Sequence, residues 1–318
     1  MVGWGAPEPA SEMSEARPAL VLALFGPTAS GKTAVAEALA ARTRVEVISA
    51  DALQVYRGLP ILTNQSERPA RLVAIWPLDH EASVGEYERL AHAAVDEALA
   101  AGRTPIVVGG TGLYLRAALT KLELPPPPAP GTRERLEALY DRLGPEAAHA
   151  ELAERDPAAA AAVHPNDRRR IVRALELAEA GSSLRPGESR LWSDETRHPT
   201  LLVGLDVPPD ELERRIEART AAMFECGVEE EVARALGGSI SRTARAVLGL
   251  EEVATLPRAE AEAAIVVRTR RYAAYQRKWM RRIPGLVTVR ADRPADEVAD
   301  AILEVARARE RVPARRAG

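Results

Sequence analysis

ALVLALFGPTASGKT, residues 19–33, is the stretch from which the rest of the chain can be read. Its first seven residues, 19–25, form an unbroken apolar run with the length and continuity of a strand buried on both faces. Gly26, Pro27, Thr28, Ala29, Ser30, Gly31, Lys32 and Thr33 follow directly and satisfy G-x-x-x-x-G-K-[ST]. An alanine-rich stretch, 32–41, then reads as a helix. Between a strand and a helix, the successive backbone N–H groups of such a loop converge on phosphate oxygens, and the helix N-terminus adds its partial positive charge. Lys32 brings a full charge to the terminal phosphate, and the Thr33 hydroxyl is placed for Mg²⁺. The pattern points to binding of a di- or triphosphate without identifying the reaction.

Working outward, 45–49 (VEVIS), 72–76 (LVAIW), 105–108 (PIVV) and 201–207 (LLVGLDV) read as further strands, and 286–290 as a last one. Residues 87–100 read as a helix closed by Gly102. Strands alternating with helices predict an α/β fold, a P-loop NTPase-like parallel sheet with right-handed crossovers. The alternation is then interrupted. A proline run at 124–130 breaks regular structure, and 131–181 looks wholly helical. Asp156-Pro157 reads as one helix start, Asn166 or Asp167 as the cap of another, and Gly181 as its end. A polar loop, 182–199, leads back to the sheet pattern. The expected organisation is a core of 19–122 and 196–310 carrying a helical insertion domain at 123–195, between flexible tails at 1–18 and 311–318. Helices are expected at 209–225, 228–236, 243–255 and 259–281.

Composition narrows the function classes. Of 318 residues, 46% are hydrophobic and 28% charged, which is the make-up of a globular protein. A single cysteine, Cys226, excludes an internal disulfide framework and a cysteine-rich zinc module. The seven-residue apolar run is far short of the ~20 residues that span a bilayer, so no membrane association is expected. Residues 1–18 lack the charge-then-apolar order of a signal peptide, and the expected compartment is the cytoplasm. With 43 basic and 46 acidic side chains the net charge is −3, so a globally basic nucleic-acid coat is not favoured but a local basic patch stays open. Only Lys32, Lys121 and Lys278 are lysines, which singles out the one in the phosphate loop.

Ligands of open α/β sheets sit beyond the carboxyl ends of the strands. The strand at 45–49 runs into Ser49-Ala50-Asp51-Ala52-Leu53-Gln54, placing Asp51 beside the phosphate loop. A carboxylate there can hold Mg²⁺, accept a proton from a nucleophile, or simply cap a helix. The strand at 105–108 runs into Gly109-Gly110-Thr111, a close-approach turn ending in a hydroxyl that either faces the same crevice or caps the next helix.

Several ordered segments resemble one family. GPTASGKT, ISADALQVYRGL and VVGGTGLYLRAAL, then HPNDRRRIVRALE (164–176), RIEARTAAMFECGVEEEV (215–232), SRTARAVLGLEE (241–252) and TRRYAAYQRKWMRR (269–282), are similar to the bacterial tRNA dimethylallyltransferases (tRNA isopentenyltransferases) across most of 19–292. The resemblance implies transfer of a dimethylallyl group from dimethylallyl diphosphate to the N6 amine of the adenosine on the 3′ side of the anticodon. It implies that Gly26–Thr33 hold the diphosphate with Mg²⁺, that Asp51 is the general base, that Thr111 lies at the reaction channel and that Arg219 helps grip the pyrophosphate. It further matches Asp51, Ala52, Leu53, Gln54, Thr111, Arg133, Arg169, Arg170, Ile171, Val172 and Arg173 to positions that touch tRNA, together with 246–251 and 274–281, which include Gly249, Gln276, Lys278 and Arg281. The implied partner is the anticodon stem-loop, and the implied state a monomer.

The residues themselves fit such a role. Arg169, Arg170 and Arg173 fall on one face of a helix, which is either an RNA surface or an ordinary solvated face. Arg268, Arg270, Arg271, Arg277, Lys278, Arg281 and Arg282, interleaved with Tyr272, Tyr275 and Trp279, suit an RNA backbone and stacked bases. Departures from the family pattern fall at 72–76, at Leu250 and Glu251, where the family has tyrosine and lysine, and at Ala274 and Tyr275, where it has lysine and arginine. The rival reading is an ATP-dependent P-loop kinase of small molecules, which has no use for a fifty-residue helical insert. A second rival is an RNA-binding protein with a relic loop, against which intact Lys32, Thr33 and Asp51 argue.

Overall fold

The computed structural model describes residues 20–122, 124, 127–184 and 193–311. The expected N-terminal tail, the beginning of the apolar run at residue 19, part of the polar loop and nearly all of the C-terminal tail lie outside the described residues. Five parallel strands, β1 (Val21–Phe25), β2 (Val45–Ser49), β3 (Thr104–Gly109), β4 (Thr200–Asp206) and β5 (Val287–Arg290), form one sheet in the order β2-β3-β1-β4-β5. Alternate residues of β1 feed two cores. Leu22 and Leu24 meet Val35, Leu39, Leu212 and Ile302 on one face, while Val21, Ala23 and Phe25 join the cluster of Tyr87, Val95 and Leu115 on the other. All five residues of β1 are buried, which is why this segment is continuously apolar rather than alternating.

α1 (Lys32–Ala40), α2 (Val84–Ala100) and α3 (Gly112–Leu119) follow β1, the segment after β2, and β3. Gly102 adopts φ 65° beyond the end of α2, as a helix-closing glycine does, and the Ser83 hydroxyl accepts the Glu86 N–H at its start. Then come α4 (Thr132–Leu143), α5 (Pro145–Arg155), α6 (Pro157–Ala162) and α7 (Arg168–Glu179), which bury a cluster of their own around Leu136, Leu152, Ile171 and Leu175. Asp156 caps α6 through the Ala159 N–H, and Asp167, rather than Asn166, caps α7 through the Arg170 N–H. The return to the sheet is anchored: the Arg116 guanidinium donates to Ser193 O, and Arg197 and His198 share Asp96. α8 (Pro209–Glu225), α9 (Val228–Leu236), α10 (Arg242–Arg245), α11 (Leu250–Thr255), α12 (Arg258–Met280) and α13 (Ala295–Arg311) are the remaining helices among the described residues. Among the described residues no helix is long and apolar enough to cross a membrane.

Two expectations are corrected, and one element is added. Residues 72–76 are not a strand: Arg71 pairs with the free edge of β2, but Leu72 and Ala74 then take φ of 65° and 52°, and only Trp76 makes a further bridge, to Tyr56. The apolar run reflects burial of Leu72 and Trp76 from a loop that covers an edge strand. The helix expected at 243–255 is two, α10 and α11, because Gly249 sits at φ 96° and ends any helical path between them. α13 was not foreseen. It packs on α1, with Arg42 paired to Asp296 and Asp300.

The end of β3 packs closely against the end of β2. A Cβ on Gly109 would lie 2.0 Å from the carbonyl oxygen of Ala50, a backbone atom fixed by the β2–β3 pairing. Gly109→Ala is therefore expected to lower unfolding stability by about 2–3 kcal/mol. An unchanged urea midpoint would show that the strand ends can separate.

Candidate active site

Because β3 lies between β2 and β1, their three carboxyl ends stand side by side and bring Asp51, Thr111 and the phosphate loop close together. The loop turns into α1 at Gly31, whose φ of 86° is left-handed. Lys32 lies folded back on its own loop, its Nζ donating to Gly26 O at 2.9 Å and Pro27 O at 2.8 Å. From α8, a guanidinium nitrogen of Arg219 donates to the Thr28 hydroxyl at 2.6 Å, while its buried Nε finds no acceptor among the described residues.

Asp51 caps no helix. Its Oδ1 accepts the N–H of Leu53 at 3.0 Å, a local turn that leaves the other carboxylate oxygen without a hydrogen bond among the described residues. Thr111 stands at the N-cap position of α3, yet its hydroxyl does not cap. It accepts the N–H of Ala52 at 3.1 Å and lies 3.4 Å from the Tyr272 hydroxyl of α12. The two side chains whose roles the sequence left open are thus joined through the backbone between Asp51 and Leu53.

Electrostatics follow from burial. Loss of hydration pulls the Lys32 ammonium down to about 8, with Asp51 opposing the shift and Arg219 adding to it. Burial likewise lowers Arg219, again opposed by Asp51, and it raises the Tyr272 phenol, with Asp51 adding to the rise. Two desolvated cations around one carboxylate form a site that lacks negative charge and would gain it from a bound anion.

The crevice is a cleft of about 380 Å³. Thr28, Lys32, Thr33, Asp51 and Arg219 line one part, and Leu62, Met223, Leu248 and Ile265 another. The hard oxygens available, the Thr33 hydroxyl and the Asp51 carboxylate, suit Mg²⁺ shared with phosphate oxygens. Among the described residues no group of three His, Cys, Asp or Glu side chains forms a complete metal cage.

Other sequence-predicted positions scatter over several roles. Leu53 and Gln54 line the cleft, with Ala52 beside them, and Gln54 also holds Thr63 O and Asn64 O. Gln276 is 2% exposed: its carbonyl accepts the Thr28 N–H at 2.7 Å and its amide donates to Gly110 O at 2.9 Å. Gln276 therefore clamps the phosphate loop to the β3 turn, a placement that differs from a solvent-facing RNA contact. Ile171 and Val172 are buried in the core of the helical insert, so their side chains are not available to RNA. Arg133 and Arg173 both pair with Glu176, whose side chain is fully buried, and so they also hold that insert together. Arg169 and Arg170 are exposed. On α12, Arg268, Arg270 and Arg277 pair with Glu252, Glu217 and Asp206. Arg271, Lys278 and Arg281 remain exposed, as does Tyr275, whose ring meets Trp279 edge-on. Gly249 is buried against Leu62.

The departures at 250 and 251 also have places: Leu250 is fully buried and Glu251 is exposed. The apolar lining, Leu62, Met223, Leu248 and Ile265, was not foreseen, since each occurs at a spacing that an ordinary core residue would share.

A family model described as IPP transferase matches residues 54–283, and one described as isopentenyl transferase matches residues 19–71. The tRNA dimethylallyltransferase of Acidothermus cellulolyticus is 41% identical over 314 residues, spanning 94% of this chain and 96% of the relative. That of Streptomyces coelicolor is 44% identical over 289 residues, spanning 86% of this chain and 91% of the relative. Among solved structures, the tRNA isopentenylpyrophosphate transferase of Bacillus halodurans superposes with a TM-score of 0.67 at 30% identity, covering 92% of this chain and 97% of the other.

Proposed function

The chain belongs to the IPP transferase family of tRNA dimethylallyltransferases, and from that premise we propose that its cleft moves the dimethylallyl group of dimethylallyl diphosphate to the N6 amine of the adenosine on the 3′ side of a tRNA anticodon. One observation carries this reading: a cationic phosphate cradle opens directly onto an apolar wall, with Asp51 beside the cradle. A prenyl diphosphate has that polarity. A nucleoside triphosphate would set part of its ribose and base against Met223 and Ile265, which offer no hydrogen bonds, although Asn64 and Thr269 also line the cleft.

The chemistry assigns each group a task. The N6 nitrogen attacks C1 of the allylic chain, the N–C bond forms, and the C1–O bond to diphosphate breaks. The proton lost from N6 passes to the Asp51 carboxylate, which the Leu53 N–H holds in place. An adenine amine is a weak nucleophile because its lone pair is delocalised into the ring, so this proton acceptor matters. Negative charge grows on the departing diphosphate, and the loop N–H groups, Lys32 and Arg219 stabilise that charge more in the transition state than before it. Gln276 keeps the Thr28 corner of the cradle in register with the β3 turn. Thr33 would hold Mg²⁺ together with the diphosphate, and the metal would add further positive charge there. The target base has to leave its stack to enter, which an anticodon loop allows at a cost of a few kcal/mol. A monomer in the cytoplasm is part of the same proposal.

The exposed cations Arg169 and Arg170 of the insert and Arg271, Lys278 and Arg281 of α12 are the surface offered to the RNA backbone. Replacing Arg169 and Arg170 together by alanine is expected to weaken tRNA binding and to reduce the slope of log K against log salt by about 1–2. An unaltered slope would make that face an ordinary solvated one. For the donor site, melting with Mg²⁺ and either dimethylallyl diphosphate or ATP separates the prenyl and kinase readings. Stabilisation should be larger with the prenyl compound, and larger stabilisation by ATP would favour a kinase.

A further inference from the structure

The polarity of the cleft is laid out along two antiparallel helices. On α12, Gln276 grips the phosphate loop, and Tyr272, Thr269 and Ile265 follow on one face toward the start of the helix, all lining the cleft. At 1.5 Å per residue, Ile265 lies about 16 Å along the axis from Gln276. α8 runs the other way, as its pairings of Glu217 with Arg270 and of Glu225 with Arg258 require. Met223 therefore lies one turn, about 6 Å, beyond Arg219 and away from the phosphate end. Leu62 and Leu248 complete the wall there.

Leu62 is held more firmly than an ordinary loop residue. It is 3% exposed, and a Cβ on Gly249 would lie 2.8 Å from its Cδ1 and 3.4 Å from Ile265 Cδ1, so the start of α11 packs directly against the pair. Its backbone is fixed by Glu231 of α9, whose two carboxylate oxygens accept the N–H groups of Ile61 and Leu62, each at 2.8 Å. Glu231 is 2% exposed, and the transfer reaction has no task for it. Two charge-assisted bonds to consecutive amides set the position of the loop that carries Leu62.

We propose that Leu62, Leu248 and Ile265 form a floor that limits the prenyl donor to five carbons, and that Glu231 is the positioning residue that keeps Leu62 in that floor. This rests on reading the cleft as a prenyl diphosphate site. The space must hold a diphosphate, a prenyl chain and the edge of an adenine. A second isoprene unit would push Leu62 and Ile265 against α11, which already packs on them at Gly249.

The test compares dimethylallyl and geranyl diphosphate as donors to unmodified tRNA, using the full chain and its variants Leu62→Ala, Leu248→Ala, the double variant and Glu231→Gln. Stabilisation of each variant by inorganic diphosphate with Mg²⁺ shows that the cradle is folded. The wild-type chain should strongly prefer the five-carbon donor. Each alanine variant should narrow that preference by about tenfold or more, through a higher kcat/KM for geranyl diphosphate rather than a loss of dimethylallyl transfer alone. Glu231→Gln, which keeps the shape but leaves one neutral acceptor in place of two anionic ones and sets an NH2 group against a backbone N–H, should shift the preference in the same direction and raise KM for the donor. A purely structural Glu231 would lower Tm and leave the preference where it was. Folded Leu62→Ala and Leu248→Ala chains with unaltered donor preference would overturn the floor, as would a wild-type chain that uses both donors equally. A wild-type chain that transfers neither donor would instead remove the prenyl reading itself, and the floor with it.

Discussion

Asparagine in place of Asp51 is expected to lower kcat for prenyl transfer by about 10²- to 10⁴-fold while leaving tRNA affinity nearly unchanged. The substitution is close to isosteric. Its side-chain oxygen can still accept the Leu53 N–H, so the turn that carries it is preserved. What it loses is the ability to take a proton from N6. Loss of the negative charge also leaves Lys32 and Arg219 without the carboxylate that favours their charged forms, and so deepens the depression of both. Single-turnover rates at saturating tRNA, beside a direct binding measurement, separate the two effects. An unchanged rate would remove Asp51 as the base, and an equal loss of RNA affinity would make it a recognition residue.

The second large effect concerns Lys32. Lys32→Met keeps the length and burial of the stem and removes the charge that meets the leaving diphosphate. A loss of about 10²- to 10³-fold in kcat is expected, the scale of removing one group that stabilises a developing anion. The pH dependence has a definite sign. In the free protein burial holds Lys32 at about 8, so it is ammonium below that value and increasingly neutral above it. Binding of diphosphate favours the ammonium and raises its pKa, so the complex takes up a proton when it forms near or above pH 8. Affinity for inorganic diphosphate should thus fall as pH rises through about 8, and calorimetry in buffers of different ionisation enthalpy should register proton uptake. Lys32→Met should abolish that uptake. A pH-independent affinity, or uptake that survives the substitution, would place the titration on another group.

Much of the fold was readable because its signals are local. An apolar run, a glycine loop and a helix made the first unit explicit, and Asp156 and Asp167 marked helix starts with the bonds expected of caps. What was not readable depended on partners distant in sequence. An apolar pentapeptide at 72–76 looks the same whether it lies in a ladder or covers one, and only the positive φ values at Leu72 and Ala74 distinguish the two. α13 could have been found from Pro294, the acids Asp296 and Glu297, and the spacing of Val298 and Ile302. In the site, the strand ends announced Asp51 and Thr111, but that Thr111 reaches Ala52 and Tyr272 instead of capping α3 is a tertiary fact. Basic clusters carry a second layer that the sequence does not show. Arg133, Arg268, Arg270 and Arg277 each pair with a carboxylate distant in sequence, and Arg173 shares the Glu176 that Arg133 reaches, which no pattern of charges along the chain announces. Gln276 shows the same effect for a neutral side chain, since nothing in its neighbours tells that it points at a loop 248 residues away.

The central claim is that this cleft releases diphosphate from an allylic carbon as an adenine amine replaces it. Nucleoside mass analysis of unmodified tRNA incubated with the protein, Mg²⁺ and dimethylallyl diphosphate tests it most directly. The expected result is an adenosine heavier by one five-carbon prenyl unit, formed in equal amount with released diphosphate and confined to the position following the anticodon. Unmodified adenosine in a reaction that has consumed the donor, or a phosphorylated product formed only when ATP is supplied, would contradict it.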